Sequence, residues 1–504
     1  MWAWILKQPL ILLLMGLWSL AMVVPAIHAS AIGNHHEARS FFYACILGLL
    51  IVVLVTLALS ARERKRGEMG NLLALFSAFA AVPIMLAVPF YDALQTTSFL
   101  NAYVEMVSSL TTTGATLFEP ERLSTTLHLW RAMVGWMGGA LIWVSAAAIL
   151  APLNLGGFEV TATGHTGQSD FHHGRFERAD PQRRILRVTA QLVPIYAGLT
   201  LALWIMLTIS GDRPLVALIH AMSILSTSGI SPVGGLQNGG SGLAGEMLMA
   251  LFLLFALSRL TFSTDTVTNA KRHLHEDPEF RLGLMLVLGV PLLLFMRHWL
   301  ASYSMDEEQN IGVALRALWG GVFTTLSFLT TTGFESADWH TAREWSGLPT
   351  PGLIFLGLAL VGGGVATTAG GVKLLRVWAL YLNGLREMEK LVHPSSVGRV
   401  GNLSRRVRRK GAYIAWISFM MFALSLSAFT MLFAGFGSDL EGAITLAIAG
   451  LSTTGPLVMV ASDSAVVLAD LSGAAKLAFC AAMVLGRLEM LAIVALISSE
   501  VWRR

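Results

Sequence analysis

Charge is scarce in this sequence. Only 13% of its 504 residues are Asp, Glu, Lys or Arg, while 55% are hydrophobic, and the mean hydropathy is +0.65. Soluble domains carry about a quarter charged residues. A soluble chain of this length also needs polar surface to coat two or three domains. Too little of it is here, which excludes a soluble protein and leaves an integral membrane protein. Cysteine is scarcer still: Cys45 and Cys480, both inside apolar runs, offer no disulfide framework and no thiolate cage and are expected to be packing residues.

What is present is a series of apolar runs long enough to cross a bilayer, which takes roughly 20 helical residues. About ten are expected, near 8–28, 40–60, 71–91, 129–151, 188–210, 243–262, 281–300, 350–382, 411–435 and 474–500. The first carries a Lys, an apolar core and a small-residue ending, as a signal peptide does. Its core is longer than the usual 7–15 residues, so a retained helix is expected. Basic residues crowd alternate loops: Arg62, Arg64, Lys65 and Arg66; Arg175, Arg178, Arg183, Arg184 and Arg187; Lys271, Arg272 and Arg281; then Arg386, Lys390, Arg399, Arg405, Arg406, Arg408, Arg409 and Lys410. The intervening loops carry Asp92, Glu119, Asp306, Glu307, Glu308, Asp338, Asp439 and Asp463. The positive-inside bias predicts that both termini are cytoplasmic.

One phrase recurs: "SSLTTTGATLFE" at 108–119, "SILSTSGISP" at 223–232, "SFLTTTGFES" at 327–336 and "AGLSTTGPLV" at 449–458. Its glycines, Gly114, Gly229, Gly333 and Gly455, are 115, 104 and 122 residues apart. Before each phrase lies a semi-polar segment of about a dozen residues, too short to span a bilayer, and long apolar runs flank the pair. The expected architecture is all-α: two leading helices (1–70), then four units of helix, half-helix, polar loop and helix at 71–187, 188–280, 281–410 and 411–504. Non-helical backbone at membrane depth must line a watery cavity or be buried in protein. A half-helix ending there points its partially negative end at a cation, and glycine permits backbone angles that other residues resist. Four such loops about one axis would make a ring of carbonyls able to replace the hydration shell of K+. The expected ion-selecting residues are Thr112, Thr113, Gly114 and Ala115; Thr227, Ser228, Gly229 and Ile230; Thr331, Thr332, Gly333 and Phe334; and Thr453, Thr454, Gly455 and Pro456, with threonine hydroxyls as additional ligands.

Within the long run 350–382 lies "GGGVATTAGG" at 362–371. Glycine costs about 1 kcal/mol against alanine in a helix interior, so the helix is predicted to break here into a loop beneath the ring. A phosphate-binding reading of this stretch fails, because Leu374 rather than Ser or Thr follows Lys373 and no strand precedes it. Lys373 and Arg487 are ionisable groups in apolar surroundings, each a functional candidate by default, with snorkelling to the surface as the plainer alternative. Glu489 could pair with a basic neighbour. His165, His172 and His173 look like metal ligands but lack fixed spacing, so a solvated loop is expected. Catalysis by a threonine nucleophile would need a recurring base beside the phrases, and none recurs. Proton coupling would need a buried acidic relay, for which Glu105 is the one candidate.

These features resemble the Trk/Ktr/HKT superfamily of potassium transporters, most closely its bacterial TrkH type. The resemblance runs over nearly the whole chain. It rests on the four phrases and on "GWMGGA" at 135–140, "DPEFR" at 277–281, "VGGGVATTAGGVKLLR" at 361–376, "LVHP" at 391–394 and "GRLEM" at 486–490. It implies a K+-selective, Rb+-permeant uptake subunit in the bacterial inner membrane, a homodimer with one pore per subunit, with membrane lipid about it and no nucleic acid. It also implies a cytosolic ring of TrkA-like subunits with RCK-like modules, carrying the nucleotide (NAD or ATP/ADP), while K+ is the ion carried here. The gate it implies comprises Gly362, Gly363, Gly364, Thr367, Thr368, Gly370, Gly371, Lys373 and Arg487. Ala366 and Ala369 depart from it by standing where glycines are common, and Ser452, Thr453 and Thr454 replace the asparagines frequent before the fourth Gly-Pro. The basic stretch "SRRVRRK" at 404–410 and the 384–403 loop are the expected docking surface for the ring. Symport of K+ with H+ or Na+ is the alternative. Coupling is not required energetically, since about 2.3 kcal/mol per charge per 100 mV already concentrates K+ by nearly two decades.

Overall fold

The computed structural model describes residues 8–59, 68–153, 155–158, 181–258, 274–302, 311–346, 352–393, 409–461, 466–490 and 492–493, and all regular structure among them is helical. Two short helices, α1 (Leu10–Ala21) and α2 (Val23–Ala31), together make the first span, and α3 (His35–Leu59) returns beside them. Trp18 and Met22 are buried in this leading group, and Phe41 of α3 meets Trp130 of the first repeat edge-on, ring centroids 5.6 Å apart. The opposite face of α3 exposes Leu47, Leu50, Leu54 and Leu57, an apolar surface suited to lipid rather than water.

Four repeats follow. The first is α4 (Glu68–Leu94), short helix α5 (Phe99–Leu110) and α6 (Thr125–Ser145), which runs on through a π-turn at Ala146–Leu150. The second is α7 (Pro181–Ile209), short helix α8 (Pro214–Ser226) and α9 (Gly242–Leu253) with a 3-10 turn to Leu257. The third is α10 (Pro278–Ser302), α11 (Ile311–Leu329), the surface helix α12 (Trp339–Ser346), α13 (Gly352–Val361) and α14 (Leu374–Val392). The fourth is α15 (Arg409–Gly435), short helix α16 (Leu440–Ser452), the single turn α17 (Leu457–Val460) and α18 (Gly473–Leu488).

Eight helices among the described residues are long and apolar enough to cross a membrane. Seven coincide with expected runs. The eighth, Gly312–Leu329 in α11, was expected to be half-length and is longer. The run 350–382 is not one span: it breaks after Val361, and helix resumes only at Leu374. The short helices α5, α8 and α16 have 12 or 13 residues, about 18–20 Å at 1.5 Å per residue, well under the ~30 Å hydrocarbon core. Their starts are conventional. Ser98 and Asp439 accept from the N–H groups of Asn101 and Gly442, and Pro214 occupies the first turn of α8.

Small residues let the short helices sit deep among the long ones. A Cβ on Gly138 would overlap the carbonyl oxygen of Leu110 at the end of α5, and one on Gly486 would overlap that of Leu451 at the end of α16. Gly139 lies beneath Ser226 at the end of α8. The glycines of "GWMGGA" and "GRLEM" are thus the floor on which all three short helices end. Cys45 and Cys480 are free and buried, as packing residues are.

Gly138→Ala is therefore expected to cost about 1–3 kcal/mol through overpacking against backbone that has nowhere to go. Gly198→Ala on α7, where nothing lies within 4 Å, should be neutral or gain up to ~1 kcal/mol. Thermal unfolding of the two variants in detergent checks the contrast.

Candidate functional site

The three short helices and α11 converge by their C-terminal ends, and all four end identically. The residue after the last turn is left-handed: Thr112, Thr227, Thr331 and Thr453, with φ of 55°, 51°, 58° and 54°. The next N–H, of Thr113, Ser228, Thr332 and Thr454, reaches back five residues to the carbonyls of Ser108, Ser223, Ser327 and Ala449, each at 2.9 Å. The left-handed residue itself donates three residues back, to Ser109, Ile224, Phe328 and Gly450. This is the Schellman ending, where glycine usually supplies the left-handed residue. A β-branched residue there is an outlier, at roughly 1–2 kcal/mol each.

Hydroxyls on either side of that threonine are paired with one another: Thr111 with Thr113 at 2.8 Å, Ser226 with Ser228 at 3.0 Å, Thr330 with Thr332 at 3.2 Å and Ser452 with Thr454 at 3.1 Å. They lock the turn from behind. Of the left-handed threonines, Thr227 donates its hydroxyl to the Ser226 carbonyl at 2.8 Å. Thr112 and Thr453 have hydroxyls without a hydrogen-bond partner among the described residues.

The loops then meet in cyclic order. A Cβ on Gly114 would overlap the Ser228 carbonyl oxygen, one on Gly229 would overlap that of Thr332, and one on Gly333 would press on Pro456 at 2.8 Å. The ring closes from the fourth loop to the first, where the Gly455 N–H donates to the Thr113 carbonyl at 2.6 Å. All sixteen expected residues are thus brought to one place, although the fourth loop differs. Gly114, Gly229 and Gly333 have φ of 74°, 66° and 83°, whereas Gly455 is not left-handed and the chain turns into α17 at Pro456. Ile230 is buried beside Ala132 and Ile219, and the Phe334 ring meets His220 edge-on at 5.8 Å, so these two side chains are committed to packing.

Residues 362–371 form a tight loop directly against the helix ends. Its neck is Gly362 on Gly371, both left-handed and too close for a Cβ on either. The Gly370 N–H donates to Thr331 Oγ1 at 2.7 Å, the Thr368 hydroxyl donates to the Leu225 carbonyl at 3.1 Å, and Gly370 lies against Ser452 and Thr453. The loop therefore touches three of the four helix ends. Internally, Thr367 donates to the Gly364 carbonyl at 2.8 Å. Glu279 of "DPEFR" accepts from the Val365 N–H at 3.1 Å, and the Gly364 N–H donates to Ala256 at 2.9 Å. Gly363 is packed against Ala369 and the Ala256 carbonyl.

Arg487 and Lys373 do not snorkel. They are 4% and 7% exposed. Arg487 donates to the Thr368 carbonyl at 2.7 Å, and the Lys373 ammonium donates to the Ala369 carbonyl. Glu489 pairs with Arg376 at 2.6 Å. Lys373, Arg487 and Glu489 line a cavity of about 20 Å³ with Ala366, Thr367 and Gly486. Ile142 of α6 and Ala146 and Leu150 of its π-turn line it as well. Such turns recur at functional sites, yet "AAAIL" gives no sign of one in the sequence. Ala366, one of the two departures from the family pattern, is left-handed with φ of 57°.

Glu105, the candidate proton relay, is fully buried in an ion pair with Arg131 at 2.6 Å. Among the described residues no group of three or more His, Cys, Asp or Glu is placed to hold a metal ion. His165, His172 and His173 lie outside the described residues, as does "SRRVRRK" up to Arg408.

A multi-pass helical membrane protein in which four fold-back loops close one ring belongs to the re-entrant-loop class of transport proteins. A family described as "TrkH: Cation transport protein" matches residues 253–503. The Trk system potassium uptake protein TrkH of Halomonas elongata is 30% identical over 455 residues, covering 88% of this chain and 88% of its own. The protein of the same name from Escherichia coli K12 is 25% identical over 502 residues, 97% and 98% of the two chains. The crystal structure of the potassium transporter TrkH from Vibrio parahaemolyticus superposes with a TM-score of 0.79 over 98% of both chains at 24% identity, which shows the shared fold. The chain belongs to the TrkH family of cation transport proteins.

Thr331→Ala should leave the buried Gly370 N–H unpaired, at about 1–3 kcal/mol. Thr453→Ala, which removes a hydroxyl without a partner among the described residues, should cost clearly less. Thermal stability of the two purified variants distinguishes them.

Proposed function

We propose that this chain is the K+-conducting subunit of a bacterial potassium uptake system, with Rb+ permeant and Na+ weakly so. The carrying observation is the closed ring of four identically ended helices, with Gly114, Gly229, Gly333 and Gly455 at its contacts. Four convergent helix C-termini favour a cation, and backbone oxygens crowded round one axis are the chemistry that replaces a hydration shell. The names of the relatives, potassium uptake proteins, support the choice of K+. On this reading residues 112–115, 227–230, 331–334 and 453–456 form the selectivity filter, contributing backbone rather than side-chain groups apart from Thr112 and Thr453.

The loop 362–371 is the gate in this reading. Its contacts with Leu225, Thr331 and Thr453 put it against the ring, and Arg487 holds it while adding positive charge where low-dielectric surroundings strengthen repulsion of K+. Both termini are cytoplasmic, and the subunit works as a homodimer in the inner membrane. The region from Arg386 to Lys410 docks a cytosolic RCK-type ring that binds the regulatory nucleotide.

Gly114→Ser tests the filter. Its side chain would meet the Ser228 carbonyl in a left-handed backbone, so the ring must shift, and Na+ permeability relative to K+ should rise in proteoliposomes; unchanged discrimination would remove this loop from the filter. Deleting residues 364–370, or replacing Arg487→Ala, tests the gate. Flux per correctly folded, inserted protein should increase in the absence of the ring, and equal or lower flux in both variants refutes it.

A further inference from the structure

The repeats share one more register, nine residues before the filter glycine: Glu105, His220, Thr324 and Leu446. All four are fully buried on the short helices or α11, and in the first three repeats the chain leaving the loop bonds back to them. In repeat 1, Glu105 Oε2 accepts from the N–H of Leu117, three residues after Gly114, at 3.0 Å. In repeat 3, Thr324 Oγ1 accepts from the N–H of Ser336, three residues after Gly333, at 3.2 Å. In repeat 2 the residue three after Gly229 is Pro232, which has no N–H. The bond there moves back one residue and joins His220 Nε2 to Ser231 Oγ at 3.0 Å. In repeat 4 the corresponding residue is Val458, whose N–H is already bonded to the Gly455 carbonyl at 3.0 Å, and the helix position is the apolar Leu446. A polar side chain stands at this register in the three repeats whose departing chain bonds back to it, and an apolar one in the fourth.

A second element reaches the tether in repeats 1 and 2 and the loop exit itself in repeat 3. Arg131 of α6 holds Glu105 at 2.6 Å. Asp212, before α8, stands 3.8 Å from His220 and is pinned by the N–H groups of Gly240 and Ser241 at 2.6 and 2.8 Å. Glu246 of α9 accepts from the Ser336 hydroxyl at 2.7 Å and from the Ala337 N–H at 2.6 Å. In repeats 1 and 2 the loop exit is therefore set by a chain of two buried polar groups, and in repeat 3 by Thr324 and Glu246 side by side.

We infer that Glu105, His220 and Thr324 are positioning residues for ion selection, each fixing the exit of its own filter loop two or three residues beyond the glycine, while the fourth loop is fixed by its own helical turn. The inference rests on the filter reading above. Selectivity depends on the placement and number of backbone ligands, and a loop whose exit is free can relax about a smaller ion. Thr324→Val keeps the shape of the side chain and removes the acceptor; Thr324→Ser restores it. With the full-length protein in proteoliposomes, Thr324→Val should lower the K+/Na+ permeability ratio about fivefold, the equivalent of one net hydrogen bond, and Thr324→Ser should return it. A merely structural role would change folded yield and leave the ratio per folded protein unchanged, which would overturn the inference. Should Thr324→Val not fold, Ser231→Ala cuts the second tether at a partly exposed position and decides by the same ratio. Gly333→Ser in the same assay separates the two claims. If it alters the ratio while Thr324→Val and Ser231→Ala, both folded, do not, the tether fails and the filter stands. If none of the three alters it, the filter reading is what fails.

Discussion

A threonine held in left-handed backbone at the end of each of four helices is the constraint from which the rest of the structure follows. The conformation is costly for a β-branched residue, and two backbone hydrogen bonds plus a pair of locked hydroxyls hold it in every repeat. It reverses the chain sharply enough to bring the following glycine against the next loop. The long helices must then leave room for four helix ends at one level, which Gly138, Gly139 and Gly486 provide. Strain of this kind persists where surrounding structure over-determines it, and it clusters at functional sites.

The four-fold pattern is broken at two places, both on the side of repeats 3 and 4. Pro456 starts a helical turn, so the fourth loop leaves the ring by a different route and packs its ring on Gly229 and Gly333. The span after the third loop is interrupted, and the interruption fills the space against the helix ends. One threonine position shows the consequence: Thr331 Oγ1 is taken by the intramembrane loop, whereas Thr112 and Thr453 keep hydroxyls without partners among the described residues. Ring and loop are thus coupled through one hydrogen bond as well as through packing.

Much of this was legible in the sequence, because repetition carries its own statistics. The all-helical membrane fold, the repeat unit and the break at 362–371 followed from apolar length, from the returning Thr-Gly phrase and from glycine crowding. What could not be read was where backbone strain would fall. The sequence points to the glycines as the special residues, yet the most strained positions are the threonines two residues earlier. The same limit hid the π-turn in "AAAIL", the anchoring of Val365 by Glu279, and the length of α11, whose extra turns look no different from the semi-polar segments before the other phrases. Lys373 and Arg487 looked able to reach the surface because a chain in one dimension does not show that carbonyls of Ala369 and Thr368 lie within reach.

The most direct test of a single backbone filter is to locate the ion. Crystals of the protein in Rb+ should show anomalous density on the axis enclosed by residues 112–114, 227–229, 331–333 and 453–455. Density at another place, or none there with the four loops well ordered, would contradict the account.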